Sequence, residues 1–401
     1  MVLRMRYLVQ VMGLAVFAWM GWITYGYFFD KNLPQINLIG LDELGYYCND
    51  MHCILVGKDS YKVANVSVWL DEKQLVKNFK INKQSFEYEV PIDTAVIENG
   101  KHTLKIEAED ATFSKNKSSI VRDFYVDNTV LQAAFVKPVS DYKILQGRTL
   151  HLQFQVNKPI KSAIVKIASN NYHCYPEAIG SNIFEAYIPV KCEEKPNEYP
   201  LAVEIVDHVG TKFLLEGKFQ VIAGAFKKQS LHVDAKKVQA EKELGRKQSD
   251  LEQELQTLLA KSPKEKLWQG TFFVPIEYTG IVTEFGVQRV TPEKGCYAHN
   301  AIDLVAMPRS VIWSPQSGNV IIKDRYEESG NTVVIDHGLG IFTLLFHLEE
   351  FADIKVGDKL KRGNPVGKMG KTGYASGYHL HWELQINGVK VDPMQWTKDG
   401  F

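Results

Sequence analysis

The chain has 401 residues, which is room for two to four domains, and its 45% hydrophobic content excludes wholesale disorder. Basic and acidic residues number 47 each, so the formal net charge is zero and there is no general drive towards nucleic acid as a partner. Five cysteines fit an oxidising compartment. Pairing Cys48 with Cys53 and Cys174 with Cys192 would leave Cys296 alone, although any other connectivity remains open.

The N-terminus carries a long apolar segment. Residues 7–29 include no charged residue, and as a helix they would span about 34 Å, enough to cross the hydrocarbon core of a bilayer. Arg4 and Arg6 precede this segment, so the positive-inside rule places them in the cytoplasm and exports the rest of the chain. A cleaved signal peptide is the alternative, but residues 22–29 are rich in aromatic residues and lack an Ala-x-Ala pattern. We therefore predict a single-pass membrane anchor.

Two strand-rich units follow the anchor. In the first, apolar residues alternate over residues 66–70, and residues 98–110 resemble bacterial Ig-like domains. In the second, the same alternation occupies residues 150–156 and 201–205. Short half-buried strands of this kind predict one β-sandwich per unit.

A helical linker is predicted next, because lysine, glutamate, glutamine, alanine and leucine dominate residues 225–261. One helical stripe is formed by Leu244, Leu251, Leu255 and Leu258. Such a stripe predicts packing against a neighbouring domain or a second copy of the chain. Gly245 argues against one uninterrupted helix.

Beyond residue 272, short strands alternate with glycine-rich turns, which predicts a compact antiparallel β domain. This part holds five residues with metal and proton chemistry: His299, Asp303, His347, His379 and His381. A catalytic zinc ion takes three protein ligands and keeps one position open for water. Five such groups are enough for three ligands and two proton-handling partners.

The spacing of these residues makes sense on strands. Alternation over residues 379–383 sends His379, His381 and Glu383 to one face and Leu380 and Trp382 to the other. His299 and Asp303 would be about 13 Å apart on an extended strand, too far to reach one ion. A bend near residues 300–301 is therefore predicted.

Residues 280–396 resemble the lysostaphin or LytM type of peptidoglycan zinc endopeptidase. The matching stretches are IVTEFG (281–286), the histidine and aspartate at 299 and 303, GNTVVIDHG (330–338), FHL (346–348), VGDKLKRGNPVGKMGKTG (356–373), HLHWEL (379–384) and NGVKVDP (387–393). The resemblance implies a small barrel-like double sheet of the duplicated hybrid motif type, with a groove over one zinc ion. It further implies that His299, Asp303 and His381 hold zinc and that His347 and His379 form a catalytic pair.

Two departures from the family pattern occur. Ala301 stands where such proteins usually have glycine. The Pro-x-Gly-Thr that usually follows the aspartate strand reads Pro-Arg-Ser-Val at residues 308–311. Neither removes a functional group, and we expect the bend at Ala301 to use ordinary dihedral angles. Glu383 is either an acceptor that orients an imidazole or a solvated strand residue. Cys296 and His337 are expected outside the site, His337 as a solvated turn residue.

The prediction is thus a mainly β protein of five segments: a cytoplasmic stub and anchor (1–30), two Ig-like β-sandwiches (31–127 and 128–223), a helical linker (224–265) and a zinc peptidase domain (266–401). Its expected function is hydrolysis of peptide bonds in peptidoglycan cross-links or stems, in the periplasm or extracytoplasmic space. The sandwiches would act as spacers, and an envelope protein is a further partner for them or for the linker. The alternatives are an inactive LytM-like module that binds wall or activates a hydrolase, a lipoyl-type carrier, and a structural envelope protein.

Overall fold

The computed structural model describes residues 2–49, 51–230, 235–291 and 295–399. The protein is mainly β in these ranges, as predicted. It divides into two compact units, residues 1–130 with 208–211 and residues 131–207 with 212–401. All five cysteines are free thiols, so neither pairing suggested by the sequence is present.

The first unit begins with helix α1 (Val2–Phe29). Residues 10–29 of this helix have a mean hydropathy of 1.3 and are not buried in protein. The helix is long and apolar enough to cross a membrane, a test that a signal sequence also passes.

Six strands complete the first unit: β1 (Gln35–Ile39), β2 (Tyr46–Tyr47), β3 (Ile54–Leu70), β4 (Lys73–Glu89), β5 (Gly100–Asp110) and β6 (Lys117–Val126). They form one sheet of order β1-β3-β5-β6-β2, with β4 also paired to β3. The β-sandwich expected here stays a prediction: the strands form one sheet, in which the 17-residue β3 pairs with β1 along its first part and with β5 along its second. Val66 and Val68 of the segment 66–70 are fully buried as expected, but Ser67 between them is buried as well, so burial does not alternate there.

The second unit begins with nine strands: β7 (Ala133–Phe135), β8 (Lys143–Leu145), β9 (Thr149–Val156), β10 (Ile160–Ile167), β11 (Asn170–His173), β12 (Tyr175–Pro176), β13 (Ile183–Pro189), β14 (Glu198–Asp207) and β15 (Lys212–Ile222). They form two sheets, of order β11-β10-β14-β15-β8 and β12-β13-β9-β7. Leu152 and Phe154 of one sheet and Val203 of the other share a single core, so these residues do form a sandwich.

The linker consists of β16 (Lys228–Ser230), α2 (Ala235–Leu244) and α3 (Gln248–Leu259). The break at Gly245 is confirmed: a Cβ there would lie 2.5 Å from the carbonyl carbon of Tyr326. Helix α3 buries Leu251 and Leu255 in a cluster with Tyr326 and Phe346. The neighbour that the leucine stripe predicted is therefore the C-terminal sheet of the same chain.

The C-terminal part contains β17 (Gly280–Thr283), β18 (Gln288–Thr291), β19 (Gly295–Ala298), β20 (Ile302–Val305), β21 (Val311–Trp313), β22 (Gly318–Tyr326), β23 (Gly330–Asp336), β24 (Ile341–Phe351), β25 (Lys359–Leu360), β26 (Pro365–Met369), β27 (Leu380–Ile386), β28 (Val389–Val391) and α4 (Pro393–Trp396). A ten-stranded sheet has the main order β17-β20-β27-β24-β23-β22-β25. A separate three-stranded sheet has the order β16-β18-β19, so the linker contributes one of its strands.

A buried polar cluster joins the sandwich to the C-terminal part. Glu185 on β13 is 2% exposed and accepts hydrogen bonds from the Tyr187 hydroxyl at 2.8 Å and from Lys266 Nζ at 3.2 Å. Its other oxygen lies 2.8 Å from His151 Nε2. Burial raises the pKa of Glu185, but the contacts with His151, Tyr187 and Lys266 outweigh it and hold the pKa below its usual value.

We expect Glu185→Gln to destabilise the protein at pH 7 by about 3 kcal/mol, since it leaves Lys266 without its buried partner. The folded pKa is lowered, so this stabilisation is present above the unfolded pKa of about 4.3 and is lost as pH falls through the folded pKa. Urea unfolding at pH 7 and below pH 4 should therefore show a difference between the variant and wild type that shrinks in acid. Glu216→Gln, on an exposed residue, is the control, and a pH-independent difference would contradict this assignment.

The packing of α3 predicts unequal effects within one leucine stripe. Leu251 is 1% exposed, whereas Leu244 is 66% exposed. Leu251→Ala should destabilise the protein by about 2–5 kcal/mol, and Leu244→Ala by less than about 0.5 kcal/mol. A loss of thermal stability in Leu251→Ala that is as small as the loss in Leu244→Ala would show that α3 does not belong to the core of the C-terminal part.

Candidate metal centre

Three neighbouring strands of the large sheet carry the site. Asp303 on β20 lies directly opposite His381 on β27 in the antiparallel register. On the other side of β27, His381 lies opposite Phe346 of β24, and His347 follows it. Residues directly opposite in an antiparallel pair have side chains on the same face, so the sheet itself brings Asp303 and His381 together.

The predicted bend places the next residue. Strand β19 ends at Ala298 and β20 begins at Ile302, and the chain bends at Ala301 without a positive φ. As a result, His299 Nε2 lies 3.1 Å from Asp303 Oδ1. Both the bend and its ordinary backbone geometry are confirmed.

Three donor atoms form a small triangle. His381 Nδ1 lies 2.9 Å from Asp303 Oδ1 and 3.2 Å from His299 Nε2, which completes the triangle with the 3.1 Å contact above. Zn²⁺ with bonds of about 2.0–2.1 Å to such ligands holds them roughly 3.3 Å apart in tetrahedral geometry. Two imidazole nitrogens and one carboxylate oxygen are also a donor set that zinc accepts. The three residues therefore fit a zinc ion in both distance and chemistry.

The apolar faces of these strands anchor the site, as predicted. Leu380 and Trp382 on β27 and Ile302 and Leu304 on β20 are buried in one core cluster beneath the sheet. Each ligand strand is thereby fixed by large side chains that alternate with the polar ones, so the donor atoms are held in place before a metal arrives.

His347 reaches the site through an irregularity in β24. Regular alternation along β24 would place Phe346 on the same face as His381 and would place His347 on the opposite face. The Phe346 ring does stack on that of His381, with ring centroids 5.1 Å apart. His347 instead has φ +63°, and the register of β24 shifts beside it. Its ring centroid consequently lies 5.8 Å from that of His381. Non-glycine residues in this conformation are strained and are concentrated at functional sites.

His379 lies immediately before β27 and pairs with His347, with ring centroids 4.7 Å apart. His347 Nδ1 donates to the Thr372 carbonyl at 2.8 Å, and His379 Nδ1 donates to the Gly377 carbonyl at 3.0 Å. Because a carbonyl only accepts, the Nδ1 of each imidazole carries the hydrogen. In the neutral rings Nε2 is left as a proton acceptor.

The linker contacts the same loop that orients these two imidazoles. Lys237 Nζ of α2 donates to the carbonyl of Lys371 at 2.9 Å and to that of Ala375. The loop between β26 and β27 is therefore held from outside by the linker helix.

Burial sets the protonation of most of these groups. It lowers the pKa of His299 to about 4, and it lowers the pKa values of His347 and His379 as well. Burial would raise the pKa of Asp303, but hydrogen bonds with His299 and His381 hold it well below its usual value. Burial likewise opposes charge on His381, yet Asp303 and Glu383 raise its pKa. The carboxylates thus favour a positive charge at the triangle.

Arg289 on β18 is a site residue that the sequence analysis missed. Its Nη2 donates to Asp303 Oδ2 at 2.6 Å and to Thr283 Oγ1 at 3.0 Å. The guanidinium engages the second carboxylate oxygen and leaves Oδ1 facing the two histidines. No local pattern in the sequence signals this contact, because β18 belongs to the small sheet and Asp303 to the large one.

Three other polar residues have clear positions. Glu383 is 2% exposed and pairs with Lys390 Nζ at 2.9 Å, while His381 Nε2 lies 3.9 Å away, so it is not the solvated residue of one interpretation. His337 is fully buried and contacts the Ser317 carbonyl, so the expectation of a solvated turn residue is wrong. Cys296 is exposed and lies outside the donor triangle.

Comparison with known proteins identifies a family over the C-terminal part of the chain. Residues 297–393 match the model of peptidase family M23. Over 121 residues the chain is 33% identical to the peptidoglycan DD-endopeptidase ShyC of Vibrio cholerae, an alignment covering 30% of this chain and 28% of ShyC. It is 32% identical over 120 residues to the DD-carboxypeptidase/endopeptidase Mpg of Neisseria meningitidis, covering 30% of this chain and 27% of Mpg. The C-terminal part of the chain is therefore a peptidase family M23 domain, as the LytM-type resemblance predicted.

The chain matches less than a third of the length of these curated relatives. Among solved structures, the catalytic domain of lysostaphin from Staphylococcus simulans is similar at 21% identity and a TM-score of 0.25, covering 36% of this chain and 97% of that one. A zinc-containing peptidase from Vibrio cholerae is similar at 15% identity and a TM-score of 0.28, covering 75% and 86%.

The donor triangle predicts which variants lose metal. Removing a group that only hydrogen-bonds to a metal ligand typically weakens metal binding by about 10–100-fold. His299→Ala, Asp303→Ala and His381→Ala should each weaken zinc binding by more than that, because each removes a ligand itself. His347→Ala and His379→Ala should retain one zinc per chain. Chelator competition and elemental analysis of the purified variants measure this directly, and loss of zinc in the second pair would contradict the division into ligands and catalytic histidines.

Proposed function

We propose that this protein is a membrane-anchored, exported zinc metalloendopeptidase that hydrolyses peptide bonds in peptidoglycan cross-links or stems. The observation that carries the proposal is the convergence of the donor atoms of His299, Asp303 and His381 beside a second pair of imidazoles. The family M23 match includes all five residues, and the names of both relatives describe peptidases, that of ShyC a peptidoglycan endopeptidase.

In this proposal His299 Nε2, Asp303 Oδ1 and His381 Nδ1 hold the zinc ion. Zinc bound there would lower the pKa of a coordinated water to about 7 and polarise the scissile carbonyl. Arg289 keeps the Asp303 carboxylate turned so that one oxygen faces the histidines.

His347 and His379 are proposed to handle the proton. Each has its Nδ1 hydrogen committed to a backbone carbonyl, and the lowered pKa values keep both rings neutral at pH 7. Nε2 of one ring can therefore accept a proton from the attacking water. The other ring can stabilise the oxyanion or protonate the leaving amine once that proton has been passed to its own Nε2.

The remaining segments are proposed to place this chemistry in the envelope. The apolar helix α1 is the anchor of the predicted 1–30 segment, with the N-terminus in the cytoplasm and the rest of the chain in the periplasm or extracytoplasmic space. The Ig-like units 31–127 and 128–223 are proposed as spacers, the 224–265 linker as a brace, and residues 266–401 as the barrel-like peptidase domain. The contact of Lys237 with the loop beside His379 supports the brace.

The proposal predicts that the full chain, purified in detergent with zinc, releases peptide fragments from isolated peptidoglycan. Mass spectrometry should identify new amino and carboxyl termini within cross-links or stems. His347→Ala and His379→Ala should lower the rate by about 10²–10⁴-fold, the usual contribution of a positioned proton-transfer group. His173→Ala, on an exposed histidine of β11, is the matched control and should leave the rate unchanged.

Peptidoglycan binding without any new terminus, by a protein that holds one zinc ion, would contradict the peptidase proposal and favour the inactive LytM-like wall-binding module. Cleavage that survives in both histidine variants would instead contradict the assignment of the pair.

A further inference from the structure

The loop between β5 and β6, residues 111–116, joins the end of the apolar helix. The Phe113 amide donates to the Tyr27 carbonyl in the last turn of α1 at 2.9 Å. Asn116 Nδ2 donates to the carbonyl of Asp30, immediately after the helix, at 3.1 Å. The loop is therefore fixed at the level of the helix end.

Aromatic contacts reinforce this joint. The Phe113 ring centroid lies 5.6 Å from that of Phe28, and the Tyr61 ring centroid lies 6.3 Å from that of Tyr27. Tyr61 also packs against Gly26, where a Cβ would lie 3.2 Å from its ring. The 111–116 loop and strand β3 thus hold the last turn of α1, so the helix does not end in a free tether.

The same surface exposes large apolar side chains. Phe29, the last residue of α1, is 64% exposed. Phe113, in the loop beside the helix end, is 67% exposed. Grouped exposed aromatic side chains on a soluble surface mark an interaction site. If α1 spans the membrane, these rings lie at the level of the lipid headgroups, where aromatic residues are enriched.

Lysine and aspartate side chains surround this joint. Lys31, Lys62 and Lys115 are exposed. Of the nearby carboxylates, Asp30 accepts hydrogen bonds from Asn32 and Ser60. Asp110 accepts them from Thr112 and Asn116, and Asp59 accepts one from the Tyr61 amide. The carboxylates are held by hydrogen bonds within the protein, whereas the lysine side chains are solvent-accessible and can contact the phosphates of lipid headgroups.

We propose that the 111–116 loop, together with Tyr61, docks on the lipid headgroup region of the membrane and holds the first unit against the bilayer surface. The proposal rests on the membrane anchor proposed above. It adds a second lipid contact, made by the folded sheet itself.

Photocrosslinking tests this contact in the full chain, reconstituted in vesicles of phosphatidylethanolamine and phosphatidylglycerol. p-Benzoylphenylalanine replaces Phe113, Phe29 or Val96 one at a time, and mass spectrometry detects lipid adducts. Val96 is the matched control: it is 80% exposed and precedes the far end of β5, about 33 Å from the loop along that strand. Ser114 serves as a second loop position if the change at Phe113 disturbs folding.

The proposal predicts lipid adducts at Phe29 and at Phe113 or Ser114, with a yield several times that at Val96. Adducts at Phe29 alone, or a loop yield equal to that of Val96, would overturn the loop contact and leave the anchor intact. A chain without adducts at Phe29 would refute the anchor, and the loop proposal with it.

Discussion

The cross-strand pair of Asp303 and His381 is the interaction on which the site depends. A carboxylate that is 4% exposed is costly to bury unless its charge is compensated. Here His299, His381 and Arg289 all contact its two oxygens within 3.1 Å. The sheet fixes the pair by register, so the carboxylate of Asp303 and the imidazole of His381 cannot separate without breaking the pairing of β20 with β27. A metal ion would complete the compensation that these neighbours begin.

The other site residues are added to this pair by departures from regular structure. His299 comes from a bend between two strands, His347 from a residue with positive φ beside a register shift, and His379 from the loop just before β27. The linker supports these irregular parts, because α3 covers the sheet near Phe346 and α2 bonds the loop that orients the histidines. The geometry of the site is therefore supported by segments outside the 297–393 family match.

Sequence reasoning found what local periodicity encodes. Alternation placed Leu380 and Trp382 in the core, the distance between His299 and Asp303 required a bend, and Gly245 predicted the break in the linker. It could not find Arg289, because that contact joins two sheets whose register is set by long-range pairing. Nor could it find the fold of the first unit as one sheet, since hydrophobic alternation in β3 does not reveal which strands pair with each half of it. The buried state of His337 was also missed, because its partner at Ser317 is distant in sequence.

X-ray absorption at the zinc K edge of the zinc-loaded full chain tests whether His299, Asp303 and His381 hold the metal. We expect a first shell of four nitrogen or oxygen atoms at about 2.0–2.1 Å, two of them imidazole nitrogens, with no sulfur at about 2.3 Å. A sulfur scatterer from Cys296, or a shell that lacks imidazole, would contradict the assignment of His299, Asp303 and His381 as the metal ligands.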